Sequence, residues 1–341
     1  MSIARVTQTK FSHSRPPRPM LSRDADSIYW MSRYMERAEH VARILHVNSH
    51  LLIDVGELAP DLQQRQWQSV LTILRSGDLA NVVGAEGVGT EAAVAQKVAQ
   101  HMTFNAENPN SLLSCISKAR ENARGVRETI SAEMWENLNT LYWTLNDAPA
   151  RFDEAPDDFY RQVIYGSMLF QGLTDQTLAH DQRWHFAQLG KYFERIDVTS
   201  RIIEVKFTIL RAAEPKLETP IKNIHWMSVL RSCCSIEAYR RNNIGDMDPI
   251  RVATFLILEP EFPRSIRFAV TKAFDSITAI RAEIDPRAMD PAERTLGRLK
   301  SQLDFAERGE INRQGIPQVL QKIQSDVVEA ALAIQKGYFL H

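Results

Sequence analysis

Cysteine is scarce in this chain of 341 residues: only Cys115, Cys233 and Cys234. An odd count this low excludes a disulfide framework and suits a reducing compartment, so a cytoplasmic location is expected. Long apolar runs are lacking as well, and none approaches the roughly 20 residues that a membrane helix needs. Glycine (14) and proline (15) are sparse and alternating β-branched runs are nearly absent, which argues against a sheet. A net charge of −1 removes any global electrostatic case for nucleic acid. The common catalytic signatures are missing too: no His-Glu-x-x-His, Cys-x-x-Cys, Gly-x-Ser-x-Gly or di-iron Glu-x-x-His. The glycine-rich piece from Gly77 to Gly89 lacks the strand, the lysine and the spacing of a phosphate loop and reads as a structural loop.

What is present is helix. Apolar residues Ile28, Met31, Tyr34, Met35, Ala38, Val41, Ala42 and Leu45 recur at three-and-four spacing. This predicts an amphipathic helix that starts near Ser22 or Asp24 and ends at Gly56. Further helices are expected at 61–76, 90–103, 110–131, 132–146 and 157–178. A second set is expected at 181–212, 223–241, 248–258, 263–284, 290–307 and 316–339. Residues 1–19 stand apart: four bases, no acid and three prolines mark a disordered basic extension, without the apolar region of a secretory signal.

The two sets of helices carry matching sequence. Tyr34-Met-Glu-Arg-Ala-Glu, followed by Arg43, aligns with Tyr192-Phe-Glu-Arg-Ile-Asp, followed by Arg201, at an offset of 158. Trp67-Gln-Ser-Val-Leu71 aligns with Trp226-Met-Ser-Val-Leu230 at an offset of 159. Asn108-Pro-Asn-Ser resembles Glu259-Pro-Glu-Phe-Pro-Arg-Ser after a two-residue insertion. A period this long lets each copy bury its own core. The expected architecture is therefore all-α, two tandem antiparallel bundles of about six helices each, over 20–178 and 179–341.

The helical wheel places the charges. At about 100° per residue, Glu36 lies opposite the apolar stripe centred on Ala38, with Arg43 on the same side and Arg37 on a flank. Glu194, Arg201 and Arg195 repeat this in the second copy. Glu39 with Arg43 and Asp197 with Arg201 are acid-to-base pairs at i,i+4. A solvated face does not readily explain the same pattern twice. A buried network joining helices or halves does, and so does a polar groove for an anionic or zwitterionic ligand. On the fourth helix Arg120, Arg124 and Arg127 share one flank, and three guanidinium forks in line suit carboxylates or phosphates. Pairing of that line with Glu36-type carboxylates is the structural alternative, and these arginines are the expected partners of Glu36.

His46, His50 and Asp54 at i, i+4, i+8 could approach one metal ion. One helix rarely supplies three ligands, and the counterparts Glu204, Thr208 and Ala212 do not repeat the pattern, so neither a metal nor any other cofactor is expected. Adjacent Cys233 and Cys234 on an apolar helix read as inert. The tryptophans read as core or interface fillers.

The stretch from Leu21 to Glu39, with Ala119-Arg-Glu-Asn-Ala-Arg124, Trp135-Glu-Asn-Leu-Asn139 and Pro263-Arg-Ser265, resembles the bacterial alpha-E domain family. That family is all-helical and named for its Glu-Arg motif. The resemblance covers Met20 to the end. It implies company with a circularly permuted ATP-grasp ligase and a transglutaminase-like peptidase, in some cases also a proteasome-like hydrolase, and thus a role in peptide-like amide chemistry. It carries over no catalytic residue. The expected function is that of a non-catalytic accessory protein for the ligase system. The alternative is an enzyme with Glu36 or Glu194 as acid/base and the arginine line holding a carboxylate or phosphate.

Overall fold

The computed structural model describes residues 20–339 except 56–59, 85–89, 148–151, 153–155, 214–217, 244, 246 and 285–289. The expected disordered extension at 1–19 lies outside the described residues. The described chain is all-helical and contains no strand. The first half holds α1 (Ser22–Val55), α2 (Pro60–Ile73), α3 (Leu79–Val83), α4 (Glu91–Phe104), α5 (Leu112–Gly125), α6 (Ala132–Asp147) and α7 (Pro156–Thr177). The second holds α8 (Gln182–Ala213), α9 (Thr219–Ser232), α10 (Ile236–Asn242), α11 (Pro249–Leu258), α12 (Ile266–Ile284), α13 (Pro291–Asp304), α14 (Arg308–Gln314) and α15 (Ile316–Ile334), and a π-helical turn over Gln335–Phe339 follows α15.

Local chemistry sets the helix ends. Ser111 caps α5 by accepting from the Ser114 N–H, and Asp248 and Asp290 cap α11 and α13 ahead of Pro249 and Pro291. Three ends differ clearly from the sequence expectation, and the first is that of α5, expected over 110–131 but stopping at Gly125. The helix expected over 223–241 breaks into α9 and α10, because Cys234 turns left-handed (φ +51°) and the Ser235 N–H reaches back to the Leu230 carbonyl at 2.8 Å. Arg75 (φ +52°) ends α2 in the same way, with the Ser76 N–H on the Leu71 carbonyl at 2.9 Å. Such a turn closes the orphan carbonyls of a helix end, and a glycine usually takes the position. The two short helices α3 and α14 also escape the reading from periodicity, being too short to show one.

α1 and α8, each about 50 Å long at 1.5 Å per residue, form the axis of the molecule. They run parallel: Tyr29 packs on Phe193, Glu36 meets Arg195, and Asn48 meets Lys206. α5 and α7 flank α1, and α12 and α15 flank α8 in the same manner. α9 also reaches across to α1, and α2 to α8. The expected separate cores are consequently merged. Buried side chains of both halves make one continuous apolar core that runs through the α1–α8 contact. Trp67 and Trp226 sit in it as expected, whereas Trp143 on α6 is exposed.

Candidate functional site

α1 has no solvent-facing side over its middle. Ala38 is buried in the apolar core, and Glu36, on the opposite face, is equally buried because that face meets α8. Two long helices can bring such faces together only if the charges are matched, and here they are matched crosswise. Arg195 donates to both oxygens of Glu36, from Nε at 2.7 Å and Nη2 at 2.9 Å. In return Arg37 donates to both oxygens of Glu194, from Nε at 2.6 Å and Nη2 at 2.8 Å. Each Glu-Arg dipeptide thus binds the other one. Its own glutamate and arginine diverge by about 100° along the helix and are free to do so. A second guanidinium attends each carboxylate: Arg33 Nε lies 2.9 Å from Glu194, and Arg264 Nη1 lies 3.7 Å from Glu36.

The network extends one turn further. Arg43 donates to Glu39 at 2.6 Å and Arg201 to Asp197 at 2.9 Å, the pairs expected at i,i+4. Arg264 adds a short hydrogen bond to Glu39, and Arg75 reaches Asp197 at 3.0 Å from its left-handed turn. The strained backbone at Arg75 therefore has a use, since it delivers a guanidinium from the end of α2 to α8. Four carboxylates and seven arginines meet here among the described residues. Guanidinium N–H groups of Arg43 and Arg201 remain buried without an acceptor.

The electrostatics follow from the burial. Desolvation pushes the Glu36 carboxyl upward, but Arg195, then His40 at 3.3 Å and Arg264, outweigh it and hold the group well below the usual carboxylate range. Burial opposes ionisation of Glu194 in the same way, and Arg37 with Arg33 reverses it. Lys191, one turn before Arg195, has no such excess of acid around it. Burial and then Arg195 push its amine down to about 8.

The arginine line does not join this centre. Arg120 donates to Asn139 at 2.7 Å and lies over the rings of Trp135 and Tyr142. Arg124 is exposed beside Glu121, and Arg127 lies over Trp135. The expected pairing of Arg120, Arg124 and Arg127 with Glu36 is therefore corrected. α5 ends at Gly125, so Arg127 falls in the turn beyond it; the flank with Arg120 and Arg124 faces α6 and solvent, while α8 takes up the polar face of α1. Glu36, Arg37, Arg43, Glu194, Arg195 and Arg201 are brought together as one network. Arg33, Arg75 and Lys191 were missed, and Arg264 was noted without this role. Arg33 and Lys191 carried a legible signal, as both are cations at the 158-residue offset one turn before the Glu-Arg arginines.

A second polar layer lies further along α1 and α8. The Lys206 amine is fully buried and bonds Ser69 at 3.0 Å and Asn48 at 3.3 Å, with no carboxylate in contact among the described residues. Burial pushes it down to about 7. Burial and Lys206 together push the nearby His225 to about 4. An unfolded lysine stays protonated to about 10.4, so between about pH 7 and 10 the unfolded chain binds the extra proton. Stability is therefore expected to rise with pH across that window. Lys206→Met should flatten that part of the profile and raise stability at pH 7, which urea unfolding from pH 6.5 to 10 measures directly.

These features define an all-helical protein whose Glu-Arg motifs are built into a buried, reciprocal ion-pair centre between its two longest helices. The chain belongs to the Alpha-E family, described as a predicted alpha-helical domain with a conserved ER motif, whose model matches residues 20–339. It is similar to an uncharacterized protein of Mycobacterium bovis, 24% identical over 318 residues covering 90% of this chain and 34% of that one. An uncharacterized protein of Mycobacterium tuberculosis strain H37Rv is 23% identical with the same coverage. The chain thus spans about a third of the length of the curated relatives it matches. No solved structure matches it significantly.

Proposed function

We propose that the chain is a non-catalytic accessory protein of the bacterial cytoplasm that acts with an ATP-grasp-type amide ligase and its transglutaminase-like peptidase. The observation that carries this reading is the use of both motif glutamates as buried struts. A carboxylate fully enclosed and gripped bidentately by arginine stays ionised, and it has neither access nor a suitable proton affinity for acid/base work near neutral pH. That supports the accessory reading over an enzyme using Glu36 or Glu194. The mycobacterial relatives add support, because there the matched region is part of a polypeptide about three times as long.

The surface suited to a partner is the arginine line with its aromatic surroundings. Arg120 lies over Trp135 and Tyr142, exposed Arg127 lies over Trp135, exposed Arg124 stands one turn past Arg120 on α5, and Trp143 projects from the same helix as the rings. Arginine and tryptophan carry much of the binding energy at protein interfaces, and the guanidinium forks suit an anionic or peptide-like partner. The isolated chain should turn over neither ATP nor small peptides, and it should raise the activity or solubility of a co-expressed ATP-grasp partner. An Arg124→Ala, Arg127→Ala variant, altered only at exposed positions, should stay folded and lose most of that effect. Robust turnover by the isolated chain, lost in Glu36→Gln while the fold persists, would establish the enzyme instead.

A further inference from the structure

Near the far end of α1, His46 and His50 stand one turn apart with their rings edge-on, centroids 4.8 Å apart. Asp157, in the first turn of α7, lies between them. Its Oδ1 is 3.1 Å from His46 Nδ1 and its Oδ2 is 3.1 Å from His50 Nε2. The three ligand atoms fall within 4.8 Å of one another, and no other such group of His, Cys, Asp or Glu occurs among the described residues. We propose that His46, His50 and Asp157 form a binding site for a zinc-class divalent transition metal, with a fourth coordination position open to solvent.

The donor set supports it. Two imidazole nitrogens and one carboxylate oxygen are what three-ligand zinc sites with an open position use. Tetrahedral bonds of about 2.0–2.2 Å place donors roughly 3.3–3.5 Å apart, and each histidine nitrogen already lies 3.1 Å from one of the two Asp157 oxygens. Side-chain rotation supplies the rest, since His50 and Asp157 are about four-tenths exposed. Exposure on that side also leaves the fourth position free for water or a ligand. The i,i+4 histidine spacing is the one by which a single helix offers two ligands to one ion.

The surroundings are consistent with the proposal. Arg161, one turn past Asp157 on α7, is turned to Asp158 at 4.0 Å. Packing does not demand the histidines. Where α8 meets α15, Glu204 instead accepts from the amides of Gln321 at 3.0 Å and Gln324 at 2.8 Å. The sequence reading weighed only Asp54, on the same helix, as the third ligand, and its side chain lies outside the described residues. α7 supplies it from 107 residues past His50.

Cobalt(II) is the spectroscopic probe. Titrated into chelator-stripped full-length protein at pH 7.5, it should give visible d–d absorption that saturates at one equivalent and is displaced by zinc. His50→Ala and Asp157→Asn, both at half-exposed positions, should weaken binding at least 100-fold and 10-fold. Both should leave the melting temperature of the metal-free protein within a few degrees of the parent. Protons compete with the metal for its donor atoms, so affinity should also fall in acid. Failure to bind cobalt or zinc stoichiometrically would overturn the proposal. Binding that survives both substitutions would do the same.

Discussion

Glu36→Gln is expected to destabilise the protein by about 3–5 kcal/mol, the usual cost of leaving one member of a buried ion pair without its counter-charge. Glu194→Gln should cost a similar amount. The two are not equivalent to surface changes, because each amide would leave two guanidinium groups facing an uncharged partner. The decisive measurement is a double-mutant cycle. Glu36 should couple to Arg195, 159 residues away, and not to adjacent Arg37. Coupling to Arg37 or an unchanged urea midpoint would contradict the reciprocal geometry.

The same pairs fix the acid response. Both carboxyls titrate lower in the folded than in the unfolded protein. Between the two values the unfolded chain holds more protons, so their stabilisation is complete above about pH 4.5 and is lost as pH falls through the folded values. The Gln variants should therefore show a shallower loss of stability below pH 4.5 than the parent.

Gly190→Ala should be the most damaging glycine-to-alanine change among the described glycines, at about 3 kcal/mol or more. A Cβ there would lie 2.1 Å from the Tyr29 carbonyl oxygen and 3.2 Å from the Arg33 nitrogen. Those are backbone atoms of α1, and no rotamer moves them. Only separation of α1 from α8 makes room, and it would stretch the Arg33, Arg37 and Arg195 contacts together. In a helix interior without such contact, Gly to Ala is stabilising by roughly 0.5–1 kcal/mol. Gly172→Ala on α7, with nothing within 4 Å, supplies that control and should raise the unfolding midpoint. Opposite signs at the two glycines would show that the α1–α8 distance is set by backbone contact. Equal, mild effects would show that the helices slide freely.

The role of the Glu-Arg face shows how far the residues carry the reading. Amphipathic spacing placed Ala38 in the core and Glu36 opposite it, and both placements hold in space. The wheel could not say that the opposite face is also buried. Periodicity reports that a helix has two faces, whereas solvent exposure depends on what packs against the second one. Arg120 failed for a related reason: its line along α5 was legible, but its partners Asn139, Trp135 and Tyr142 all lie on α6 and its target was a matter of topology.

By itself, the sequence determined the helical class, most helix ends, the family and the recurrence of charged positions at a 158-residue offset. These are properties of local propensity, capping and short-range spacing, all encoded within a few turns. Only the tertiary structure decided that Glu36 serves Arg195, that one core runs through both halves, and that Asp157 meets His46 and His50. Each of those facts joins residues more than 100 positions apart. Their proximity is fixed by which helix faces fit together with charges paired and backbones touching, as at Gly190.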